Sequence, residues 1–307
     1  MPRPTPLVTT LSVRHVTTYR YRRPVAFGEH RMLFRPRDSY DQKLLSCDLQ
    51  ITPAPAELRW IHDPFGNCVA IARFDRKACT LRFESAITLD HAPERAPDLR
   101  LEDYASTYPF SYDPEEMPDL APSIARRYAD PDERVDLWAR KFLRHGGSTP
   151  TGELLKTLTY AIKESFVYVR RPESGTWTPA TTLSLSRGSC RDLALLMMEA
   201  VRSLGFAARF VTGYIYVPDR DGPTRLGGGS THAWCQVYLP GAGWVEFDPT
   251  NGIVGNADLI RVAVARDPGQ AIPLSGTWYG EPGDDLGMTV EVQVTSDRDT
   301  RQVTDAA

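Results

Sequence analysis

Apolar and polar residues alternate over much of the first 90 residues, a pattern that is typical of β-strands. Asp63-Pro-Phe-Gly-Asn67 separates two apolar runs and carries the proline and glycine of a tight turn. Several short strands at regular spacing predict an antiparallel β-sandwich. The first 90 residues place no candidate nucleophile close to a candidate base. This favours a structural or substrate-shaping domain. The segments that predict strands are 11–25, 43–53, 58–74 (two strands around the turn) and 80–90.

The pattern changes after residue 90. Prolines and acidic residues recur in the next 60 positions and predict a surface connector. Within it, residues 132–147 predict a helix that ends at a glycine pair. Another helix is predicted to begin near Thr151. The predicted organisation is a β-rich domain at 1–90, a connector with a helix at 91–150, a core with a C-terminal extension at 151–294, and a frayed polar tail at 295–307.

Residues 187–206 predict an amphipathic helix with well-marked ends. Apolar residues recur at helical spacing from Leu193 to Leu204, and Gly205 is a natural stop. Ser189 followed three positions later by Asp192 is a capping-box pattern. Cys190 is then the first helical residue, and it points towards the buried side of the helix.

A cysteine at a helix start has two interpretations. The helix dipole and the free N–H groups of the first turn favour a thiolate, and they can also hold the oxyanion that forms when a thiolate attacks a carbonyl. Cys190 would then be a nucleophile. The other interpretation is a small apolar residue of the core, since buried cysteine is common. This segment alone favours neither.

Residues 232–252 predict a β-hairpin that supplies a base and an orienting group. If Tyr238 pairs with Trp244, His232 and Asp248 share a face as diagonal neighbours within side-chain reach. Glu246 shares that face but lies two pairs from His232, and a register shift of one would turn Asp248 away. Asp248 is therefore the better partner for the histidine. Taken singly, the two residues would suggest a surface histidine and a turn aspartate.

Composition narrows the class of protein. The 307 residues are 41% hydrophobic, and 36 Lys+Arg against 39 Asp+Glu give a net charge of −3. This indicates a globular chain without nucleic acid or membrane as its main partner. No apolar run is long enough to span a bilayer, and the N-terminus has no signal-peptide pattern, so we expect a cytoplasmic protein. Its thiols should be reduced.

The chain also lacks the patterns of common ligand sites. The five cysteines form no CxxC pair, and His232 with Cys235 has no second pair to complete a zinc site. The glycine-rich loop 218–231 is followed by no helix that would hold a phosphate, and it lacks the acidic positions of a calcium loop. We interpret it as a flexible rim of a cleft. No metal and no cofactor is predicted.

Two segments resemble the core of the transglutaminase-like superfamily: 188–214, which begins Gly-Ser-Cys-Arg-Asp, and 231–252, which begins Thr-His-Ala-Trp. That family orders its triad as Cys, His and Asp, which here implies Cys190, His232 and Asp248 as catalytic residues. The front of the chain resembles the β-rich domain that precedes this core in bacterial members, in residues 15–25, 31–38 and 63–67.

The resemblance implies an α+β fold, with an N-terminal antiparallel β-sandwich followed by a papain-like transglutaminase core whose catalytic helix packs on an antiparallel sheet. It implies a thiol enzyme that attacks a carboxamide or peptide carbonyl and forms a thioester. The implied partners are a protein or peptide substrate and an amine acyl acceptor. A cysteine peptidase or amidase and a non-catalytic protein-binding module remain as alternatives. Trp177 and Tyr168 are both candidates for a side chain in the oxyanion hole.

Overall fold

The computed structural model describes residues 8–92, 99–171, 175–217 and 228–297. Most of the predicted loop 218–231 and of the predicted tail lies outside these residues. Throughout the described part of the chain, no helix has the length and apolar character needed to cross a membrane. The helices are α1 Met117–Ile124, α2 Arg134–Arg140, α3 Thr151–Ser165, α4 Pro179–Leu185 and α5 Cys190–Ser203. The strands are β1 Thr9–Met32, β2 Gln42–Thr52, β3 Glu57–His62, β4 Cys68–Arg73, β5 Ala78–His91, β6 Thr107–Tyr108, β7 Thr149–Pro150, β8 Val167–Tyr168, β9 Arg187–Gly188, β10 Ala208–Ile215, β11 His232–Leu239, β12 Gly243–Asp248, β13 Ile253–Val254, β14 Leu259–Ala265, β15 Leu274–Tyr279 and β16 Asp285–Ser296.

The N-terminal strands form a curled antiparallel sheet around the long strand β1. The first half of β1 pairs with β5 and β16, and its second half pairs with β4 and β15. Side chains from both halves share one apolar cluster, which includes Phe27, Met32 and Phe83. Burial of these side chains stabilises the curl, since each fully buried residue of this size contributes about 1.5–3 kcal/mol. The α+β class and the β-rich N-terminal domain predicted from the sequence are confirmed.

The last strands return to the N-terminal sheet. Strands β15 and β16 pair with β1, so residues 274–296 complete the first domain instead of extending the core to which the sequence assigned them. Thr295 and Ser296, which the sequence placed in a frayed tail, are the last residues of β16. The reason is that β1 offers a free edge on each half, and the sequence pattern of a strand does not say which edge it joins.

The second half of the molecule is a five-stranded antiparallel sheet with α5 packed on one face. The strand order is β13-β12-β11-β10-β14. Apolar residues of α5, α3 and the sheet form one buried cluster, in which Cys190 lies with Leu193, Cys235 and Phe247. Helices α5 and α3 begin where the sequence predicted. The helix predicted over 132–147 is shorter, because after Arg140 the N–H of Lys141 bonds to the Trp138 carbonyl and the chain continues in turns.

The two halves pack on each other along β10 and β14. Leu11 and Ile87 of the first domain share an apolar cluster with Tyr214 and Ile260. Polar contacts also cross the junction, among them the Asn67 side chain, which bonds both backbone groups of Val264 at 2.7 and 2.9 Å. The N-terminal domain therefore packs along β10 and β14 of the sheet that carries His232.

Candidate functional site

Cys190 is the first residue of α5 and is 7% exposed. Ser189 precedes it in extended conformation, and the Asp192 carboxylate accepts a hydrogen bond of 2.8 Å from the Ser189 backbone N–H. This is the capping arrangement that the sequence predicted. The first-turn N–H groups of a helix have no partner within the helix and carry its positive dipole end. The Cys190 sulfur therefore lies where an anion is favoured.

Asp192 also anchors the helix start to the preceding loop. Its carboxylate is fully buried and accepts two hydrogen bonds from Arg171, at 2.8 and 3.0 Å, and one of 2.7 Å from the Trp177 backbone N–H. Gly188 stands close by, where a Cβ atom would lie 2.7 Å from that of Asp192. The sequence showed Asp192 only as a cap. Its ion pair with Arg171 joins residues 21 positions apart and carries no local signal.

His232 and Asp248 meet through the hairpin register that the sequence predicted. Tyr238 pairs with Trp244, and Gln236 pairs with Glu246. His232 Nε2 lies 2.8 Å from Asp248 Oδ2, and both side chains are fully buried. The other ring nitrogen, Nδ1, has no oxygen or nitrogen partner within the described parts of the chain. That nitrogen is the one left for the thiol.

The Asp248 carboxylate is held by more than the histidine. The Asn251 side-chain amide donates to Oδ2 at 2.8 Å, and the Thr250 backbone N–H donates to Oδ1 at 2.9 Å. Burial alone raises the pKa of Asp248, but the His232 charge and these hydrogen bonds outweigh it and lower the pKa below its ordinary value of 3.8. Asp248 is thus a fixed negative charge beside the ring. The sequence analysis did not single out Asn251.

The environment of His232 favours its protonated form. Burial alone lowers the pKa of His232, but the charge and hydrogen bond of Asp248 outweigh it, and the interaction with the Cys190 side chain adds to them. The pKa is raised well above the ordinary value of 6.5. The structure therefore brings all three predicted residues into one interacting group.

These pKa shifts predict how stability depends on pH. The raised pKa of His232 means that its contribution is fully present below its ordinary value of 6.5 and is lost as the pH rises through the folded-state pKa. The lowered pKa of Asp248 means that its contribution is lost only as the pH falls below the ordinary value of 3.8. Hence the His232–Asp248 pair should stabilise the fold most between pH 3.8 and pH 6.5.

Urea unfolding measures this. We expect the difference in unfolding free energy between the wild type and the double variant His232→Gln, Asp248→Asn to be larger at about pH 6 than at about pH 9. The double variant is the matched reference because it removes both charges and leaves neither one buried alone. An equal difference at the two pH values would contradict the raised pKa of His232.

Tyr168 and Trp177, the two candidates for an oxyanion side chain, occupy different places. Tyr168 pairs with Gly188 across a short parallel bridge and packs against the cluster that contains Cys190. Burial, and then the charge of Cys190, raise the pKa of Tyr168. The Trp177 ring lies 4.5 Å from the Arg171 guanidinium, so it belongs to the loop that Asp192 anchors. Tyr168 is thus the better placed of the two.

The described residues offer no cluster of metal ligands, and two cavities lie where the two domains meet. No group of three His, Cys, Asp or Glu side chains there is arranged to hold a metal ion. Cavities of about 180 and 350 Å³ lie at the junction of the domains, and their linings include Arg37 and Arg209 in the first and Asp63 and Gln270 in the second. Their walls do not contain Cys190, His232 or Asp248.

Together these features define a class: an α+β protein in which a helix-borne cysteine meets a His–Asp pair on an adjacent hairpin. Residues 138–249 match the transglutaminase-like superfamily, and residues 11–90 match the bacterial transglutaminase-like N-terminal region. The protein Rv2569c of Mycobacterium tuberculosis is 30% identical over 288 residues, which cover 87% of each chain. The chain belongs to the transglutaminase-like superfamily.

Two further similarities extend this result. ML0607 of Mycobacterium leprae is 37% identical over 107 residues, which cover 34% of this chain and 37% of that protein. Among solved structures, a candidate cysteine protease from Cytophaga hutchinsonii has a TM-score of 0.68 and 19% identity, with coverage of 95% of this chain and 91% of the other. At this identity the likeness shows a shared fold. Membership of the superfamily supports an enzyme of the thiol type.

Proposed function

We propose that the protein is a thiol acyltransferase in which Cys190 is the nucleophile, His232 the acid and base, and Asp248 the group that orients the imidazole. The observation that carries this proposal is the 2.8 Å bond from His232 Nε2 to Asp248, with Nδ1 left for the cysteine at the start of α5. Such an arrangement activates a thiol and holds its base in one orientation.

In the first half-reaction, the Cys190 thiolate attacks the carbonyl carbon of a carboxamide or peptide bond. A C–S bond forms and the carbonyl oxygen becomes an oxyanion. The His232 imidazolium then donates its proton to the leaving nitrogen as the C–N bond breaks, so ammonia or an amine departs and a thioester remains. The oxyanion is held by first-turn N–H groups of α5, with the Tyr168 hydroxyl as the candidate side-chain donor.

In the second half-reaction, neutral His232 takes a proton from the acyl acceptor as the acceptor attacks the thioester carbon. The C–S bond breaks and Cys190 leaves as the thiolate beside the imidazolium. An amine as acceptor gives a new amide, which is transamidation. Water as acceptor gives a carboxylic acid, which is deamidation of a side chain or hydrolysis of a peptide.

A cysteine peptidase or amidase is the second candidate. The observation that favours it is the shared fold with a protein described as a candidate cysteine protease. It needs the same three residues and differs only in the acceptor and in the carbonyl that is attacked. A non-catalytic binding module is disfavoured because a retired site has no reason to keep a buried His–Asp pair beside a cysteine.

The direct test is product analysis by mass spectrometry. The full-length protein is incubated with a glutamine-containing peptide, with and without a primary amine. Acyl transfer predicts an amine adduct with loss of ammonia, whereas hydrolysis predicts deamidation or cleavage in both samples. Cys190→Ala is the control. An unchanged peptide across a panel of glutamine peptides, or products that persist in Cys190→Ala, would refute the proposal.

Thiol labelling tests the nucleophile without a substrate. We expect iodoacetamide at neutral pH to alkylate Cys190 faster than any other cysteine. The comparison with Cys79 is decisive, because Cys79 is exposed whereas Cys190 is 7% exposed. Burial raises the pKa of Cys47 and of Cys235, which should make both slow. Peptide mapping gives the order.

The control for this labelling is His232→Gln, which keeps a polar side chain at this buried position but removes the imidazole. Alkylation of Cys190 should slow in that variant while Cys79 reacts as before. Preferential labelling of Cys79 in the wild type would remove the physical argument for an activated thiol at Cys190.

A further inference from the structure

The sheet face that carries His232 also carries a buried charged network that crosses the domain junction. Arg261 of β14 donates to Glu246 at 2.5 Å and to Asp41 of the first domain at 3.0 Å. Gln236 donates to the same Glu246 oxygen at 2.7 Å. We call Asp41, Arg261 and Glu246 the junction network. The sequence pattern placed Glu246 on the same face as His232 and gave it no role.

Charges in this region are balanced. Arg209 lies on the same face, where its guanidinium is 4.1 Å from the Trp244 ring and its Nε donates to Gln236. Two carboxylates thus face two guanidinium groups. Asp41 is held further by the Asn256 amide at 2.8 Å. The removal of any one charge leaves this buried set unbalanced, and we expect the side chains that remain to move in response.

The junction network reaches His232 through one side chain. The Trp234 indole N–H donates to Glu246 at 3.2 Å, and its ring stacks on the His232 ring with centroids 5.9 Å apart and planes 29° apart. Trp234 is fully buried. Behind it, a Cβ atom at Gly213 would lie 2.9 Å from the indole and 2.0 Å from the Ile260 carbonyl oxygen. Only glycine leaves room for the indole here.

The stacked indole matters because one hydrogen bond does not fix an imidazole ring. Asp248 fixes the position of Nε2, but the ring can still tilt about that bond. The plane of the Trp234 ring restricts the tilt, and the tilt decides where Nδ1 points. Among the described residues, the charged and polar side chains that interact with the His232 ring are Asp248, Cys190 and Asn251. None of these restricts the ring plane as a stacked indole does.

We propose that the junction network is a positioning device for His232, in which Asp41 of the N-terminal domain acts through Arg261, Glu246 and the stacked Trp234 ring. Docking of the N-terminal domain then completes the thiol site. The proposal rests on the proposed function for the role of His232. The junction-network proposal goes beyond the proposed function because it gives Asp41 a role in orienting the imidazole. Asp41 lies 220 positions from Arg261 along the chain.

The experiment compares two contacts across the same junction. Asp41→Asn and Glu246→Gln weaken the junction network, whereas Asn67→Ala removes hydrogen bonds to the Val264 backbone, which involve neither Glu246 nor the Trp234 indole N–H. For each full-length variant, thermal unfolding is measured together with the pH profile of Cys190 alkylation by iodoacetamide. A merely structural role would lower thermal stability without changing the profile.

We expect Asp41→Asn and Glu246→Gln to slow Cys190 alkylation at neutral pH by roughly twofold to thirtyfold and to shift its profile. Asn67→Ala should lower thermal stability and keep the wild-type profile. A wild-type profile in Asp41→Asn, or an equal change in Asn67→Ala, would overturn the proposal.

Trp234→Phe keeps an aromatic ring and loses the N–H donor, so it remains informative where a charge variant does not fold. In a protein that already carries Trp234→Phe, Asp41→Asn should have little further effect on the rate of Cys190 alkylation. If the two substitutions together slow alkylation by the product of their separate factors, Trp234 is not the contact through which Asp41 acts. NMR titration of the His232 ring gives a readout independent of Cys190, and its pKa should fall towards the ordinary value in Asp41→Asn. An unchanged titration would also count against positioning.

A failure to find acyl-transfer products refutes the proposed function and leaves these comparisons intact, because none needs a substrate.

Discussion

Replacement of Asp248 with Asn is expected to lower kcat/KM by about four orders of magnitude while the fold persists. The Asp248 charge and hydrogen bond are what raise the pKa of His232 against the effect of burial. An amide in its place removes the charge and can present an N–H where the ring needs an acceptor. The imidazole then loses both its preferred protonation state and its orientation. Steady-state kinetics on the substrate found by product analysis, with circular dichroism to confirm the fold, measure the effect.

The matched control is Glu246→Gln, which makes the same change on the same face of the hairpin. Glu246 bonds Trp234, Gln236 and Arg261 and not the His232 ring, so its effect on turnover should be indirect and much smaller. It should nevertheless lower stability, because Arg261 loses a buried partner. If Glu246→Gln impairs turnover more than Asp248→Asn, the third member of the proposed triad is misassigned.

Replacement of Asp192 with Ala is expected to lower the free energy of unfolding by about 3–5 kcal/mol. The carboxylate has no solvent exposure, and the Arg171 side chain that it binds is 7% exposed. Without Asp192, a nearly buried guanidinium loses this ion pair and its two hydrogen bonds, and the N–H groups of Ser189 and Trp177 lose their acceptor. Urea unfolding followed by tryptophan fluorescence gives the value.

Ser189→Ala is the comparison for this prediction. It removes the hydroxyl that donates to Asp192 at 2.7 Å and leaves the ion pair in place. The loss should be about 1 kcal/mol, the usual magnitude for a helix cap. Equal losses in the two variants would mean that Asp192 acts as a cap and no more, and that its ion pair with Arg171 contributes nothing net.

The start of α5 and the register of the hairpin were both predictable from the sequence. Ser189 and Asp192 determine where the helix begins, because a capping pattern acts within one turn of helix. The spacing of Tyr238 and Trp244 around a short glycine-containing turn determines which residues of the hairpin face each other. These two local features suffice to place Cys190 at a helix start, and His232 and Asp248 on one face.

The partners of residues distant in sequence were not predictable in the same way. No strand was predicted over residues 285–296, and only the folded chain shows that β16 forms there and completes the N-terminal sheet. Similarly, only the tertiary structure shows that the buried carboxylates of Asp192 and Glu246 pair with Arg171 and Arg261, respectively.

The sequence by itself determined where the helices and strands of the site begin, which of their faces are buried, and how one hairpin pairs. The tertiary structure alone decided that the hairpin meets the helix at Cys190, that Trp234 stacks on His232, and that Asp41 reaches Arg261. The physical reason is the range of the forces concerned. Backbone capping and side-chain periodicity act over a few residues, whereas a buried ion pair or ring stack depends on which surfaces the whole core brings together.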